Sequence, residues 1–267
     1  MVDRDEETAY IYEAVSNEIK LGGCGLAIIA LTEYMEAFDT DCYQDVCRKL
    51  GNGILTLLDQ ETGCYQHVLN PDYSLKEDFR TVYYDGEATF ALVRLYRHTG
   101  EDKWLEAAKS AVDHFVAEDY TQYRDQWIAY SLNEITQYVD DSSYYLLALR
   151  NVGENYDRIL TKYTAPVTFE LLLTTFELYH RLVERGAEIE GFDQEKYLSA
   201  ITEKAQRMLD GYFYPEYAMY MADPASVLGA FMVREDGFRT RIDDVQHSMV
   251  GFYLYAKNYE TMLSYAK

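Results

Sequence analysis

Residues 86–111 read GEATFALVRLYRHTGEDKWLEAAKSA, and residues 25–50 read GLAIIALTEYMEAFDTDCYQDVCRKL. The two stretches align without a gap, and Gly25 of one matches Gly86 of the other. In each stretch an apolar segment with helical spacing is followed by a short polar turn and a second helical segment. A repeat that holds one helix–turn–helix unit predicts an array of antiparallel helix pairs.

Further copies of this pair extend the array along the chain. Looser copies begin at three positions, Asp125, Ala165 and Asp243, and the last has short helices. The segment 5–20 is predicted to be one more helix, so we expect about ten to twelve helices. Two segments with alternating hydrophobicity begin at Gly63 and Gly229, and they are predicted to be short strands or extended loops.

The first helix of each pair differs in composition from the second. The first is almost wholly apolar, as at residues 25–31 and 86–92, whereas the second, as at residues 102–115, is amphipathic. A helix that is apolar all round is buried on most sides, and an amphipathic helix faces water. This division predicts an inner and an outer ring of helices. We therefore expect an all-α fold, an (α/α)6-type toroid with one incomplete hairpin. It is expected to form a single domain over residues 1–267, and the alternative that this domain is a segment of a longer protein stays open.

The net charge and the cysteines restrict the partners and cofactors. Lys and Arg number 24 and Asp and Glu number 46, which gives a formal net charge of −22. Such a surface repels phosphate groups, so we expect no nucleic-acid partner and no membrane insertion. The cysteines form no CxxC pair and no zinc spacing with histidine, so we expect no metal and no other cofactor. Few cysteines and an acidic amino terminus, unlike a signal peptide, favour a cytoplasmic location.

In a ring of antiparallel pairs all inner helices run in the same direction, so their amino-terminal ends meet at one mouth. Four acids at these ends are the candidate catalytic residues: Glu87, Asp125, Asp243 and Asp244. The candidate substrate-binding residues are aromatic, amide or charged: Tyr84, Asp85, Trp127, Tyr130, Glu170, Arg241, Gln246 and His247. Acids are common caps of helices, but capping does not require aromatic rings and amides as well. Together these groups suit a carbohydrate ligand, which offers both hydroxyls and C–H faces.

The segment YYDGEATFALVRLYRHTGEDKWLEAA, at residues 83–108, resembles the recurring helix-pair pattern of the six-hairpin glycosidase superfamily. KLGGCGLAIIALTEY at 20–34 and RIDDVQHSMVGFYLY at 241–255 are similar to segments of uncharacterised bacterial members. The resemblance runs from Leu21 onward and implies the (α/α)6 toroid. It does not select a reaction, because glycoside hydrolases, polysaccharide lyases, sugar epimerases and lanthionine cyclases share this architecture. The chain has no cyclase-like zinc set and no complete catalytic motif of a single hydrolase family.

The function that we favour is a glycoside hydrolase-like domain that acts on a bacterial poly- or oligosaccharide. Such enzymes use two carboxyl groups, one that donates a proton and one that acts as base or nucleophile. Glu87 lies one turn inside a buried helix, so we expect a raised pKa and the role of acid, with Asp125 or Asp243 as base. His247 is expected either to orient a hydroxyl or to be a structural histidine. Two alternatives stay open: a non-catalytic glycan-binding or scaffolding domain of a polysaccharide-assembly protein, and a sugar epimerase.

Overall fold

The computed structural model describes residues 1–187, 189 and 191–265. The chain forms two compact units, Met1–Leu147 and Ala148–Lys267, which we call unit 1 and unit 2. The described residues are mostly helical, with 12 α-helices and two small antiparallel sheets. The prediction of a helical fold is therefore confirmed, and the sheets are an addition to it.

Unit 1 contains five complete helices, and a sixth crosses the boundary between the units. The helices are α1 (Leu21–Phe38), α2 (Gln44–Leu55), α3 (Tyr83–Thr99), α4 (Asp102–Ala117), α5 (Gln126–Ile135) and α6 (Ser142–Gly153). One sheet pairs β1 (Val2–Asp3) with β2 (Ala9–Tyr10), and the other has the order β3 (Tyr12–Glu13), β4 (Glu18–Lys20), β5 (Val68–Leu69), β6 (Leu75–Glu77). The two aligned sequence copies are the packed pairs α1–α2 and α3–α4, as predicted.

Helices α1, α3 and α5 lie side by side and run in the same direction. Residues early in α1 and in α5 lie against the first turn of α3. Near the other end of α3, Arg97 bonds to Glu36 of α1 at 3.2 Å and to Glu134 of α5 at 3.3 Å. The amino-terminal ends of three helices are therefore brought together within unit 1.

Two glycines that match in the sequence repeat make this close packing possible. A Cβ added at Gly25 of α1 would lie 2.8 Å from the backbone of Glu87 in α3. A Cβ added at Gly86 of α3 would lie 2.5 Å from the Cβ of Trp127 in α5. Because both neighbours include backbone or Cβ atoms, which cannot rotate away, any larger side chain would push the helices apart.

The predicted division into buried and amphipathic helices holds for α3 and α4. Every residue of α3 from Asp85 to Leu95 is buried. Helix α4 buries a single stripe: Trp104, Ala107, Ala108, Ala111, Val112 and Phe115. For α1 the expectation of burial on most sides is wrong, because Leu26, Tyr34 and Phe38 are 43%, 44% and 67% exposed.

Among the described helices, only α1 is long and apolar enough to cross a membrane by length and composition. The core helix of a packed unit passes the same test. Helix α1 is less buried than such a core helix, but its Glu33 and Glu36 pair with the buried Arg94 of α3 at 2.6 and 3.0 Å, so it packs in unit 1 through charged contacts as well. The structure therefore gives no clear case for membrane insertion.

Residues 5–20 form strands, and the predicted helix over this segment is wrong. Strands β3 and β4 form a hairpin in which Tyr12 pairs with Ile19. Asn17, in the turn, has a left-handed φ of 57°, which suits a tight turn and not a helix interior. Tyr10 and Ile19 are fully buried, so strands β2 and β4 contribute to the core.

Unit 2 contains the remaining helices. They are α7 (Tyr156–Thr161), α8 (Pro166–Glu184), α9 (Gln194–Leu209), α10 (Pro215–Ala218), α11 (Pro224–Val227) and α12 (Ile242–Tyr265). Helices α8 and α9 are the predicted pair that begins near Ala165, and they pack together. Helices α8 and α12 run in the same direction, since Glu170 contacts His247 near their starts and His180 contacts Tyr265 near their ends.

Helix α12 is one continuous helix of 24 residues, where the sequence predicts a pair of short ones. Asn258 lies in the second half of this helix. Its Nδ2 donates to the backbone oxygen of Leu254 at 2.9 Å and to Glu177 of α8 at 3.3 Å. Because its side chain is bonded within the helix and to a neighbouring helix, Asn258 does not end α12.

The two segments predicted to be short strands or extended loops are indeed extended. The first contains β5, and Tyr65 within it forms an isolated bridge with Leu58. The second forms isolated bridges, Tyr212 with Phe231 and Val233 with Arg239. Neither segment is helical apart from the 3-10 turn Arg234–Asp236.

The contact at Gly25 generates a stability prediction. Gly25→Ala should lower the free energy of unfolding by about 1–3 kcal/mol, because the new methyl group meets the backbone of Glu87. Gly23→Ala, on the same helix, meets only the side chain of Ile11 at 3.5 Å, so it should be neutral or stabilise by up to about 1 kcal/mol. Urea unfolding of both variants measures the difference. Equal destabilisation by the two changes would contradict the role given to Gly25.

Candidate functional site

The candidate site of unit 1 is built around Glu87, which lies in the second turn of α3. Its side chain is buried, with the residue 7% exposed. Its Oε2 atom is buried and accepts no hydrogen bond from any described residue. A buried carboxyl oxygen without a partner is costly in free energy, so such a group in a native structure calls for an explanation.

The wall behind Glu87 is made by Gly22 of α1 and by Tyr84. A Cβ at Gly22 would collide with Oε2 of Glu87 and with the ring of Tyr84. Glycine at this position therefore leaves the space in which the carboxyl group of Glu87 lies. The sequence analysis did not select Gly22, because the signal for it is a contact between two helices rather than a local motif.

Asp125 stands at the start of the neighbouring helix α5 and is 1% exposed. Its Oδ1 accepts a hydrogen bond from the backbone N–H of Ile128 at 3.0 Å, so Asp125 caps the helix. The alternative of helix capping is thus true of this acid. The next residue, Gln126, is 2% exposed, and its side-chain oxygen has no hydrogen-bond partner within the described part of the chain. The start of α5 therefore adds a second buried polar group without a partner.

The proton affinity of Glu87 is set by its surroundings. Burial and, to a smaller extent, the negative charge of Asp125 raise the pKa of Glu87 from 4.5 to about 8. At neutral pH Glu87 therefore keeps its proton. This agrees with the raised pKa that the sequence analysis expects for an acid one turn inside a buried helix.

Tyr83 and Tyr84 lie beside the acids, and Trp127 and Tyr130 pack on Phe90, one turn further along α3. Trp127 and Tyr130 of α5 are half-buried, and their ring centroids are 5.6 Å apart. Tyr84 is half-buried as well, and Tyr83, the first residue of α3, is 46% exposed. Burial is the largest cause of the raised pKa of Tyr83, and the negative charges of Asp125 and Glu87 raise it further. Exposed ring area next to the acids is what stacking against a sugar requires.

Asp85 is predicted to bind substrate, but the structure gives it a role in holding the fold. It is buried, and its two oxygens accept from Nε2 of His67 at 2.7 Å and from the hydroxyl of Tyr120 at 3.1 Å. Nδ1 of His67 accepts the backbone N–H of Arg80 at 2.9 Å, so the proton of His67 is on Nε2. Asp85 thus ties the loop before α3 to the core. Sequence reasoning missed His67 and Tyr120, because they lie far from Asp85 in the chain.

In unit 2, Asp244 is buried and bound by arginine. Nε and Nη2 of Arg239 donate to its two oxygens at 3.0 and 2.9 Å. Asp243 is partly exposed and pairs with Arg241, whose side chain is 52% exposed. Of the two predicted catalytic acids in this unit, Asp244 is held in a bidentate ion pair and Asp243 is the more accessible.

His247 and Glu170 form a hydrogen-bonded pair in unit 2, with Nδ1 of His247 2.9 Å from Oε2 of Glu170. Burial lowers the pKa of His247. The hydrogen bond and the charge of Glu170, together with the charges of Asp243 and Asp244, outweigh burial and raise this pKa above its ordinary value. Gln246, the remaining predicted binding residue, is exposed on α12.

Neither a metal-binding group nor a similar known protein gives further information about the function of the site. Within residues 1–187, 189 and 191–265, no group of three or more His, Cys, Asp or Glu side chains could hold a metal ion. No protein-family model matches the chain, and no curated protein matches it either. The features that bear on function are therefore the burial and hydrogen bonding of Glu87 and Asp125.

The pKa of Glu87 predicts how stability depends on pH. Between pH 4.5 and about 8 the folded state holds a proton that the unfolded state has released, so the free energy of unfolding should fall as pH rises through this window. The fall is on the order of 2–4 kcal/mol. Glu87→Gln cannot titrate, so its stability should change less with pH than that of the parent.

Urea unfolding at pH 5, 6, 7 and 8 measures this slope for the parent and for Glu87→Gln. Glu106→Gln, on the exposed side of α4, is the control and should follow the parent. Identical slopes for Glu87→Gln and the parent would show that Glu87 does not titrate in this range.

Proposed function

We propose that the chain is a carbohydrate-active domain that cleaves a poly- or oligosaccharide by glycoside hydrolase-like chemistry. The observation that carries the proposal is Glu87: a buried carboxyl group that keeps its proton at neutral pH and has an oxygen without a hydrogen-bond partner among the described residues. A general acid must hold its proton at the working pH and release it in the transition state. Glu87 has the environment for that task.

In this proposal Glu87 donates its proton to the glycosidic oxygen as the bond to the anomeric carbon breaks. Asp125 acts as the base or nucleophile on the other side of the sugar. Its hydrogen bond with Ile128 fixes the carboxylate in position, so capping and catalysis are compatible. Trp127 and Tyr130 bind the C–H face of a sugar ring through their partly exposed rings.

The (α/α)6-type toroid and membership of the six-hairpin glycosidases are part of the same proposal. They are supported within unit 1 by three parallel inner helices with α2 and α4 packed outside them, and within unit 2 by the parallel pair α8 and α12. Within unit 2, the pair Glu170–His247 is proposed to bind substrate hydroxyls. An experimental structure with a bound oligosaccharide tests this arrangement.

A non-catalytic glycan-binding domain is the second candidate, and one observation favours it. Asp125 caps α5, and Asp85 and Asp244 are occupied by structural hydrogen bonds. These structural hydrogen bonds explain the presence of the three acids without a catalytic role. A binding domain would use the same aromatic rings and would leave the glycan intact.

Isosteric substitutions separate the two candidates. Glu87→Gln and Asp125→Asn keep the shape of each side chain and remove its titrating group, and asparagine also keeps the cap of α5. If the domain is a hydrolase, each change should reduce turnover by about 10²–10⁴-fold on a library of bacterial oligosaccharides. Glycan binding, measured on an array, should change by only a few fold.

Glu106→Gln is the control and should keep both activities. A parent protein that binds glycans and cleaves none, with both variants binding equally well, would replace the hydrolase by the binding domain. A parent that neither binds nor cleaves any glycan would refute both candidates.

A further inference from the structure

Cys64 and His114 form a pair on the outer side of unit 1, away from the residues assigned to glycan chemistry. The Sγ atom of Cys64 is 3.5 Å from Nε2 of His114, which is within hydrogen-bond reach for sulfur. Cys64 is exposed, and His114 is half-buried on α4. The other exposed cysteine, Cys42, provides an internal comparison within the same chain.

The pair is positioned by backbone contacts. Gly63 has a left-handed φ of 72°, and a Cβ at this position would collide with the backbone oxygen of Ser110 and approach the Cβ of His114. The hydroxyl of Ser110 donates to the backbone oxygen of Gln60 at 2.8 Å. Asp59 accepts the backbone N–H groups of two residues in the same turn. The turn is therefore fastened to α4, and this contact holds the thiol next to the imidazole.

A groove of about 830 Å³ opens beside His114, between this turn and α4. Its lining carries charges of both signs: Glu61, Lys103, Glu106, Lys109, Asp113 and Glu118. With four carboxylates and two ammonium groups the groove is acidic on balance, and Lys103 and Lys109 pair with Glu101 and Glu106 at 3.4 and 3.3 Å. A volume of this size holds a molecule of a few hundred daltons.

The charges around the thiol decide how it can react. The pKa of Cys64 is raised, mainly by burial. The carboxylates of Asp85 on α3, Asp59 in the turn and Glu118 at the end of α4 raise it further. Little thiolate is therefore present at neutral pH, and a base at the thiol is needed for efficient attack. Nε2 of His114 is in position to be that base. The ring of Tyr120 packs edge-on against His114, with centroids 5.7 Å apart, and limits its movement.

We propose that Cys64 is a site of reversible S-thiolation by a small disulfide, with His114 as the base. The thiol sulfur attacks one sulfur of the disulfide while its proton passes to Nε2 of His114. The new S–S bond forms as the old one breaks, and the departing thiolate takes the proton from His114. Cys64 is oxidised, the disulfide is reduced, and one thiol is released.

Oxidised glutathione is the probe, and mass spectrometry of quenched samples gives the rate at Cys64 and at Cys42 in the same molecules. Cys64 should react faster than Cys42 at pH 7, and dithiothreitol should remove the adduct. His114→Gln should slow Cys64 by at least about tenfold and leave Cys42 unchanged. Circular dichroism establishes that the variant is folded. A Cys64 rate no greater than that of Cys42, or an unchanged rate in His114→Gln, would overturn the proposal.

Discussion

The close approach of α1, α3 and α5 at Gly25 and Gly86 is the contact on which the rest of unit 1 depends. Each glycine removes the side chain that would hold two helices apart at that level. Helices that approach this closely exclude water from the turn of α3 that carries Glu87. The matched glycine of the sequence repeat therefore lies at the point where one inner helix contacts the next.

Burial of Glu87 follows from that packing, and it works against stability. A carboxyl group in this environment either loses its charge or needs a partner. Glu87 keeps a proton, and its Oε2 accepts no hydrogen bond from the described residues. A glutamine or a leucine at this position would avoid the cost of burying an ionisable carboxyl group. Violations of this kind in an otherwise consistent structure are typical of sites that are kept for function.

The helix pairs could be predicted from the sequence because their signals are local. Apolar spacing, polar turns and a matched glycine all lie within about thirty residues of each other. The strands of residues 5–20 could not be predicted in this way. The register of β4 depends on β5, where Ile19 pairs with Leu69, and no local pattern contains that partner. The continuity of helix α12 was missed as well, and contacts with another helix, such as that of Asn258 with Glu177 of α8, lie outside any local pattern.

The residues of the candidate site also separate into those with a local sequence signal and those that depend on distant partners. The burial of Glu87 and the cap formed by Asp125 follow from their places in helices, and both could be predicted. The structural role of Asp85 could not, because it depends on His67 and Tyr120, which tertiary folding brings to it. The same is true of the space that Gly22 leaves for the carboxyl group of Glu87.

The two ends of the parallel helices in unit 1 differ in a way that bears on function. Toward the carboxyl end of α3, the buried Arg94 is paired with Glu33 and Glu36 of α1. At the amino-terminal end, Glu87 and Asp125 are neighbouring acids, and burial together with the charge of Asp125 keeps Glu87 protonated. A protein selected for stability alone would place a basic residue at both ends. The acidic end is therefore where the structure departs from stability, and it is the end that also carries the partly exposed aromatic rings.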